Sequence, residues 1–590
     1  MGTAEDSATE VGSIGSRHKA TTTLNSTPAS ASLHNVVSEK QPTTAAAETT
    51  EKISVDDEKA AANHDASPAD PDEDEDGVEY PVAWKLGLIT IALCLSVFCV
   101  ALDNTIIATA IPRITDEFRG SVQDIGWYGA AYLLTTCAVQ LIFGKLYTYY
   151  SVKWVYLFAI LLFEVGSLVC GATPTSLGLI IGRAIAGLGS AGIFSGALLI
   201  VSRSVPLRQR PVYMGLIGAV YGLASVAGPL MGGAFTDKVT WRWCFYINLP
   251  FGAVTVFFII LFLHLPDTKS QLKNTSFKEQ LLSFDLEGTF CFIPGIVSLL
   301  LALQWGGSRY PWGNGRIIGL FVVFAVLIAA FIAIQIWKKD KATVPPRIFM
   351  NRTVWACSSF VVCLGAAFFI MVYYLPIWFQ SIQGSSAVNS GIKSLPLILG
   401  LVVLSIISGG FVSALGYYTP FMIASAVLMA VGAGLLSTLE IDSGRNAWIG
   451  YQCIFGFGVG LGMQQPMVAM QASLQAADVA VGTAIIIFSQ TLGGALFICV
   501  AQNVFQNKLK EVIGAANIPG LTLDAVNYVG ATGARKHFEG EALAVVLSAY
   551  NTAITNCFYV AVALATLSMV GAAFTPWNSV KGKKIEMAAA

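Results

Sequence analysis

The chain has 590 residues, 55% of them hydrophobic and only 12% charged, where an ordinary soluble domain carries about 25% charge. So much apolar surface cannot be hidden from water in one globule, which excludes a soluble enzyme and a disordered scaffold. A net charge of −1 offers no basic excess to a nucleic acid, so no nucleic-acid partner is expected, and lipid is the expected solvent.

Residues 1–80 stand apart. They are rich in Ser, Thr, Ala, Asp and Glu, end in the acidic run Asp72 to Asp76, and contain no Cys, Trp or Phe. This composition predicts a disordered tail. No apolar stretch near Met1 suggests a cleaved signal peptide, so the first span is expected to direct insertion.

From residue 84 onward, fourteen stretches reach the roughly twenty apolar residues that a membrane helix needs. They lie near 84–107, 127–147, 154–171, 177–201, 212–234, 243–264, 285–305, 316–337, 354–379, 392–412, 418–438, 447–470, 481–504 and 553–575. They are continuously apolar, without the alternation of a barrel strand. A charge near the middle of a bilayer costs at least ~2.5–3.5 kcal/mol, so each one is a functional candidate.

Span one ends in Leu102-Asp103-Asn104-Thr105 and continues to Ala110-Ile111-Pro112. Asp103 either carries a proton, its burial favouring the neutral form, or pairs with a neighbour at the interface. Span three holds Glu164 at its centre, a proton-relay candidate or a protonated carboxyl bonded across helices. Span four holds Arg183 between Gly182 and Gly187. A guanidinium is effectively always charged, so Arg183 either holds a carboxylate ionised until substrate displaces it, or forms a structural pair with Asp103 or a backbone carbonyl. Span five carries Gly228-Pro229, then Gly232-Gly233. Proline removes a backbone hydrogen bond and glycine permits close helix approach, so this span is built to bend against a neighbour. Candidate cavity residues are Asn104, Gln140, Tyr374, Gln380, Gln464, Gln465 and Gln490, amides and an aromatic suited to a weakly polar ligand; interfacial placement is the alternative.

The even span count puts both termini on one side, and the more basic loops mark that side as cytoplasmic. Arg203, Arg208, Arg210, Lys269, Lys273, Lys278, Lys338, Lys339, Lys341, Arg347 and Arg352 lie there. The sequons at Asn25, Asn274 and Asn351 fall on the same side. The segment 505–552 is expected outside, as a short amphipathic helix, a Pro519–Gly520 turn and a polar chain holding Arg535, Lys536 and His537.

Several signatures are missing. There is no phosphate-binding GxxxxGK[ST] loop. The single GxGxxG, Gly187 to Gly192, lies inside an apolar span, where small residues for helix contact explain it better than a dinucleotide. The eleven cysteines lie in or beside apolar spans without metal-ligand spacing. No metal site, no catalytic residue and no enzymatic activity are expected.

With these residues the sequence resembles the major facilitator superfamily, and within it the fourteen-span drug:proton antiporters of fungi, over residues 82–577. The motifs that carry the resemblance are Leu102 to Thr105 with Ala110-Ile111-Pro112, Arg183 with Gly187 and Gly189, the span-five Gly228-Pro229-x-x-Gly232-Gly233, and Trp241 to Pro250 at the start of span six. One motif departs. The family's charged loop after span two, GxLxDRxGR[RK], is here Gly144-Lys-Leu146-Tyr147-Thr148-Tyr149-Tyr150-Ser151-Val152-Lys153, so the charge latch it forms is expected to be weaker or differently made.

The resemblance implies an all-α polytopic fold with two six-helix bundles, 82–264 and 352–575, each built from inverted repeats around a central cavity. It also implies a cytoplasmic linker at 265–284, two inserted helices within 285–337 and a cytoplasmic tail at 576–590. The implied activity is proton-coupled export of small amphipathic molecules such as drugs or fungal toxins. No cofactor is needed beyond the proton gradient. The partners would be a small-molecule substrate and the lipid bilayer, and the protein a monomer in the plasma membrane or a vacuolar or vesicle membrane. A proton-coupled importer, for instance of siderophores, and a non-transporting membrane sensor remain open from sequence.

Overall fold

The computed structural model describes residues 81–118, 122–264, 284–307, 310–516 and 518–580. The expected tail over 1–80, all but the last residue of the 265–284 linker, the end of the C-terminal tail and the sequons at Asn25 and Asn274 lie outside them.

In lipid every backbone polar group must be satisfied within the chain, which helices achieve locally. Among the described residues fourteen helices are long and apolar enough to cross a membrane. The first half comprises α1 (Ala83–Phe118), α2 (Val122–Tyr149), α3 (Val152–Ala172), α4 (Ser176–Ser204), α5 (Arg210–Lys238), the short α6 (Trp243–Tyr246) and α7 (Asn248–Phe262). Two helices follow, α8 (Leu286–Trp305) and α9 (Gly315–Lys338), then the one-turn α10 (Pro346–Phe349). The second half comprises α11 (Arg352–Ser381), α12 (Ala387–Lys393), α13 (Leu395–Leu415), α14 (Thr419–Ser437), α15 (Arg445–Gly462), α16 (Gln465–Ser473), α17 (Val479–Ala516), α18 (Leu523–His537) and α19 (Gly540–Phe574).

Within the first half α1 packs on α5 and α7, and α4 on α2 and α3. The second half repeats this closeness, with α11 on α17 and α19, and α15 on α13 and α14. The halves meet along two seams, α5 against α13 and α2 against α17. Glycine makes the tightest of these contacts possible. A side chain at Gly189 would collide with the α3 backbone at Phe163, and one at Gly187 with the α2 backbone at Tyr132. The GxG of span four is therefore a packing device that holds α4 between α2 and α3.

The structure departs from the expected spans in three places. Span six breaks at Ile247, so that Asn248 opens α7. Span twelve breaks after Gly462, and Pro466 sits in the first turn of α16, where its missing N–H costs nothing. The 505–552 segment is mostly helical. Helix α17 runs on to Ala516, because Phe505, Leu509 and Ile513 recur every four residues and are buried. The turn at Pro519–Gly520 exists, with Gly520 at φ +83°, but the expected polar chain is α18, and α19 begins at Gly540. Hydropathy marks the apolar part of a helix and misses its amphipathic extensions. Arg535 of α18 donates to the Ile382 carbonyl, so this segment caps the end of α11.

The inserted hairpin lies over the α2–α17 seam. Phe292 of α8 packs 5.0 Å from Phe331 of α9 and 5.3 Å from Phe488 of α17. At the other end Trp305 lies 6.2 Å from Trp127 of α2. The hairpin is anchored by Asp285, a fully buried carboxylate at φ +46° that caps α8. It accepts from Gly288 N (3.1 Å), Gln335 Nε2 (2.8 Å), Thr343 N (2.9 Å) and Thr343 Oγ1 (3.0 Å). Lys338 Nζ lies 3.1 Å from its other face. Beside it, Phe284 lies against Tyr149 and Tyr150 at 5.6 and 5.9 Å. Aromatic contacts thus occupy the loop where the family pattern would put charges. Lys153 in the same loop donates to the Ile260 and Leu263 carbonyls at 2.8 and 2.9 Å.

Candidate functional site

The charges of spans one and four meet. Arg183 Nη1 lies 2.5 Å from Asp103 Oδ2, with both side chains buried. The same nitrogen reaches the Asp103 carbonyl at 3.2 Å, and Arg183 Nε donates to the Tyr128 carbonyl of α2 at 2.9 Å. The guanidinium carbon lies 4.4 Å from the centroid of the Tyr132 ring, a favourable stacking in a dry site. The break before α7 brings in a third polar group. Asn248 Nδ2 donates to Asp103 Oδ1 at 3.3 Å and to Ser167 Oγ of α3 at 3.1 Å.

This cluster is incompletely bonded. Arg183 Nη2 and Asn248 Oδ1 are buried without a hydrogen-bond partner. Such orphaned atoms cost energy and mark a place whose bonding is free to change. Glu164 is not part of the pair. It lies one turn along α3 from Ser167, its carboxyl against α7 at Gly252, where a side chain would occupy its position. Its Oε2 is also without a partner.

Between the halves lies a central cavity of about 60 Å³, lined by α1, α2, α4 and α5 from the first half and α11, α17 and Met463 from the second. No Asp, Glu, Lys or Arg side chain is among its described lining. Of the candidate cavity residues, Asn104, Gln140 and Gln490 line it, and Gln140 Oε1 is buried there without a partner. The others are elsewhere. Tyr374 donates to Gln502 Oε1 at 3.0 Å, Gln380 Nε2 to Ser390 Oγ at 3.0 Å, and Gln465 Nε2 to Ser408 Oγ at 3.2 Å. Gln464 packs into the α5 surface at Gly218. A wider, open depression of about 480 Å³ beside Glu117 and Trp241 has no buried pair at its base and is surface relief.

Sequence reasoning passed over Tyr132, Thr136 and Tyr221, which also line the cavity. The signal for two of them was available: Tyr132, Thr136 and Gln140 recur every four residues, a polar stripe on an apolar helix.

The span-five motif joins three elements. Gly228 abuts Thr105 of α1, Gly233 abuts Val388 of α12, and Pro229 sits against Gly391. Gly232, buried in the same motif, offers its carbonyl to Thr236 Oγ1 at 2.6 Å. The motif therefore lies where α5 touches both halves.

Comparison with known proteins agrees with this architecture. The Major Facilitator Superfamily profile matches residues 93–498. The MFS-type transporter astH of Aspergillus oryzae is 57% identical over 514 residues, covering 87% of this chain and 90% of its own. The MFS-type efflux pump MFS1 of Trichophyton rubrum is 59% identical over 519 residues, covering 88% and 96%. Among solved structures, the proton:xylose symporter XylE aligns over 85% of this chain and 98% of its own with a TM-score of 0.54. At 14% identity that likeness concerns the fold alone.

Proposed function

Because the chain belongs to the major facilitator superfamily, we propose that this integral, multi-pass membrane protein is a proton-coupled exporter of small amphipathic organic molecules such as drugs or fungal secondary metabolites. The observation that carries the reading is the buried Asp103–Arg183 pair one side chain away from a cavity lined by both halves. Relatives named as efflux pumps support the direction of transport. The uncharged cavity lining favours neutral, aromatic-rich substrates. The termini are assigned to the cytoplasm by the basic loops, and the plasma membrane is the proposed location.

The cycle uses the chain's own groups. With the cavity open to the acidic exterior, a proton neutralises a carboxylate, Asp103 or Glu164. At Asp103 this dissolves the pair and leaves Arg183 to the Tyr128 carbonyl and the Tyr132 ring. With the cavity open to the cytoplasm, substrate enters and the proton leaves. A membrane potential of ~100 mV adds about 2.3 kcal/mol per charge moved.

The test is accumulation of fluorescent drugs and fungal toxins in a yeast depleted of its own pumps, at mildly acidic external pH, with and without a protonophore. Export predicts lower accumulation that a protonophore restores; higher accumulation would mean uptake. Asp103→Asn, Glu164→Gln and Arg183→Gln are then made singly. Full pH-driven export in all three would refute the coupling scheme.

A further inference from the structure

Tyr132 stands between the two parts of the site. Its ring lines the cavity, and the Arg183 guanidinium lies over that same ring. The backbone beneath it is fixed. The Tyr132 carbonyl abuts α4 at Gly187, where no side chain fits, and accepts from Thr136 Oγ1 at 2.8 Å. The hydroxyl reaches the Val100 carbonyl at 3.4 Å, a contact long enough to give way. Displacing the ring gives up this contact and the one with Ser190 and leaves the backbone in place.

We propose that Tyr132 is the positioning residue that couples occupancy of the cavity to the Asp103–Arg183 pair. The proposal rests on the exporter reading above. A cavity of about 60 Å³ is far below the ~300–1,000 Å³ of a drug-sized pocket. A substrate must therefore push the lining outward, and Tyr132 is the lining side chain in contact with the guanidinium. While Asp103 is protonated, Arg183 is held by the Tyr128 carbonyl and the Tyr132 ring. Substrate pushes the ring aside, and Arg183, with Nη2 already unpartnered, turns to the remaining group, Asp103. The carboxyl O–H bond breaks, its proton passes to water admitted from the open face, and the ion pair forms. Release of the substrate lets the ring settle back over Arg183.

The test uses the full chain in pump-depleted yeast with Nile red, a neutral aromatic amphipath, as probe. Tyr132→Phe keeps the ring and should export Nile red within about twofold of the unmodified chain, with full protonophore sensitivity. Tyr132→Leu removes the ring that substrate must displace, so in purified form it should bind Nile red at least as tightly as the unmodified chain, while its protonophore-sensitive export falls about tenfold or more. If the leucine variant fails to accumulate, Tyr132→Met replaces it. A purely structural role would lower binding and export together and would not spare binding. Protonophore-sensitive export by the leucine or methionine variant at the unmodified level overturns the inference and leaves the exporter reading standing. Loss of export in Tyr132→Phe also overturns it. Absence of protonophore-sensitive Nile red export by the unmodified chain overturns the exporter reading, and this inference with it.

Discussion

Replacing Asp285 should cost more stability than any other single change in the inserted hairpin. Its carboxylate caps α8 and accepts four hydrogen bonds while fully buried. Losing the cap costs about 1 kcal/mol. In Asp285→Ala the Thr343 N–H, the Thr343 hydroxyl and the Gln335 amide also lose their acceptor, and each buried orphan costs about 1–3 kcal/mol. Allowing for partial relaxation, the total is about 4 kcal/mol, and about half that for Asp285→Asn, which keeps one acceptor oxygen. The assay is thermal unfolding of the purified protein in detergent, where Asp285→Ala should lower the Tm by about 5 °C or more. The pH dependence adds a second check. Burial opposes the charge on Asp285, but the hydrogen bonds from Gln335, Thr343, Lys338 and Gly288 outweigh it and hold the carboxyl below its usual value. A depressed value means that the ionised form belongs to the fold. Its contribution is complete above the unfolded value of about 3.9 and fades as pH falls through the folded value. The gap between Asp285→Asn and the unmodified chain should hold from pH 8 to about pH 5 and narrow only below about pH 4. A Tm unchanged in Asp285→Ala, or a gap that closes near neutral pH, would refute the reasoning.

Other expectations concern the seam, the surface and the second carboxylate. At Gly144 of α2 a methyl would lie 2.7 Å from Ala484 Cβ of α17, so Gly144→Val should prise this end of the seam apart. A cysteine placed at Ala484 should then react with maleimide several-fold faster, and unchanged labelling would count against a tight contact there. Arg347→Ala breaks a two-pronged contact with Asp478 at 2.6 and 3.0 Å, but Arg347 is largely exposed. It should cost only about 0–1 kcal/mol, and a Tm loss as large as that of Asp285→Ala would contradict this. Gly252→Ala would place a methyl on the Glu164 carboxyl and should change export to the same extent as Glu164→Gln. An active Gly252→Ala beside an inactive Glu164→Gln would show that the carboxyl does not need its present position.

The number and order of spans were legible because hydropathy over twenty residues is a strong signal and each span is a local structure. What lay outside it is equally physical. The break before Asn248 carries one local mark, Pro250, which has no N–H to donate to the Tyr246 carbonyl; what the break serves shows only where Asn248 meets Asp103 and Ser167. The extension of α17 hides in an amphipathic stretch with Lys508, Lys510 and Glu511, whose charges lower the hydropathy without disturbing the helix. The approach of Asp103 and Arg183 was open to inference, since two opposite charges in apolar spans are costly apart. The cavity set was less legible. Gln464 falls in the break between α15 and α16 and Gln465 opens α16, and neither lines the cavity. A single sequence carries the period of a helix but not which face turns to the seam.

The distribution of charge says how the labour is divided. Among the described residues, the buried charged residues are Asp103, Lys145, Arg183, Arg210 and Asp285, all of them before the second half begins. To the cavity itself both halves present amides and hydroxyls, as at Asn104, Gln140, Gln490 and Thr491. Desolvating an ion is the most expensive step open to a moving membrane protein. Were the pair split across the seam, each swing of one half against the other would separate two buried charges. With Asp103 on α1 and Arg183 on α4, the pair travels inside one bundle, and rocking at the α2–α17 and α5–α13 seams leaves it intact. In the proposed cycle only the proton then alters the local charge. The remaining requirement is a contact between the cavity and the pair, and the ring of Tyr132, which lines the cavity and lies under the Arg183 guanidinium, supplies it from within the same bundle.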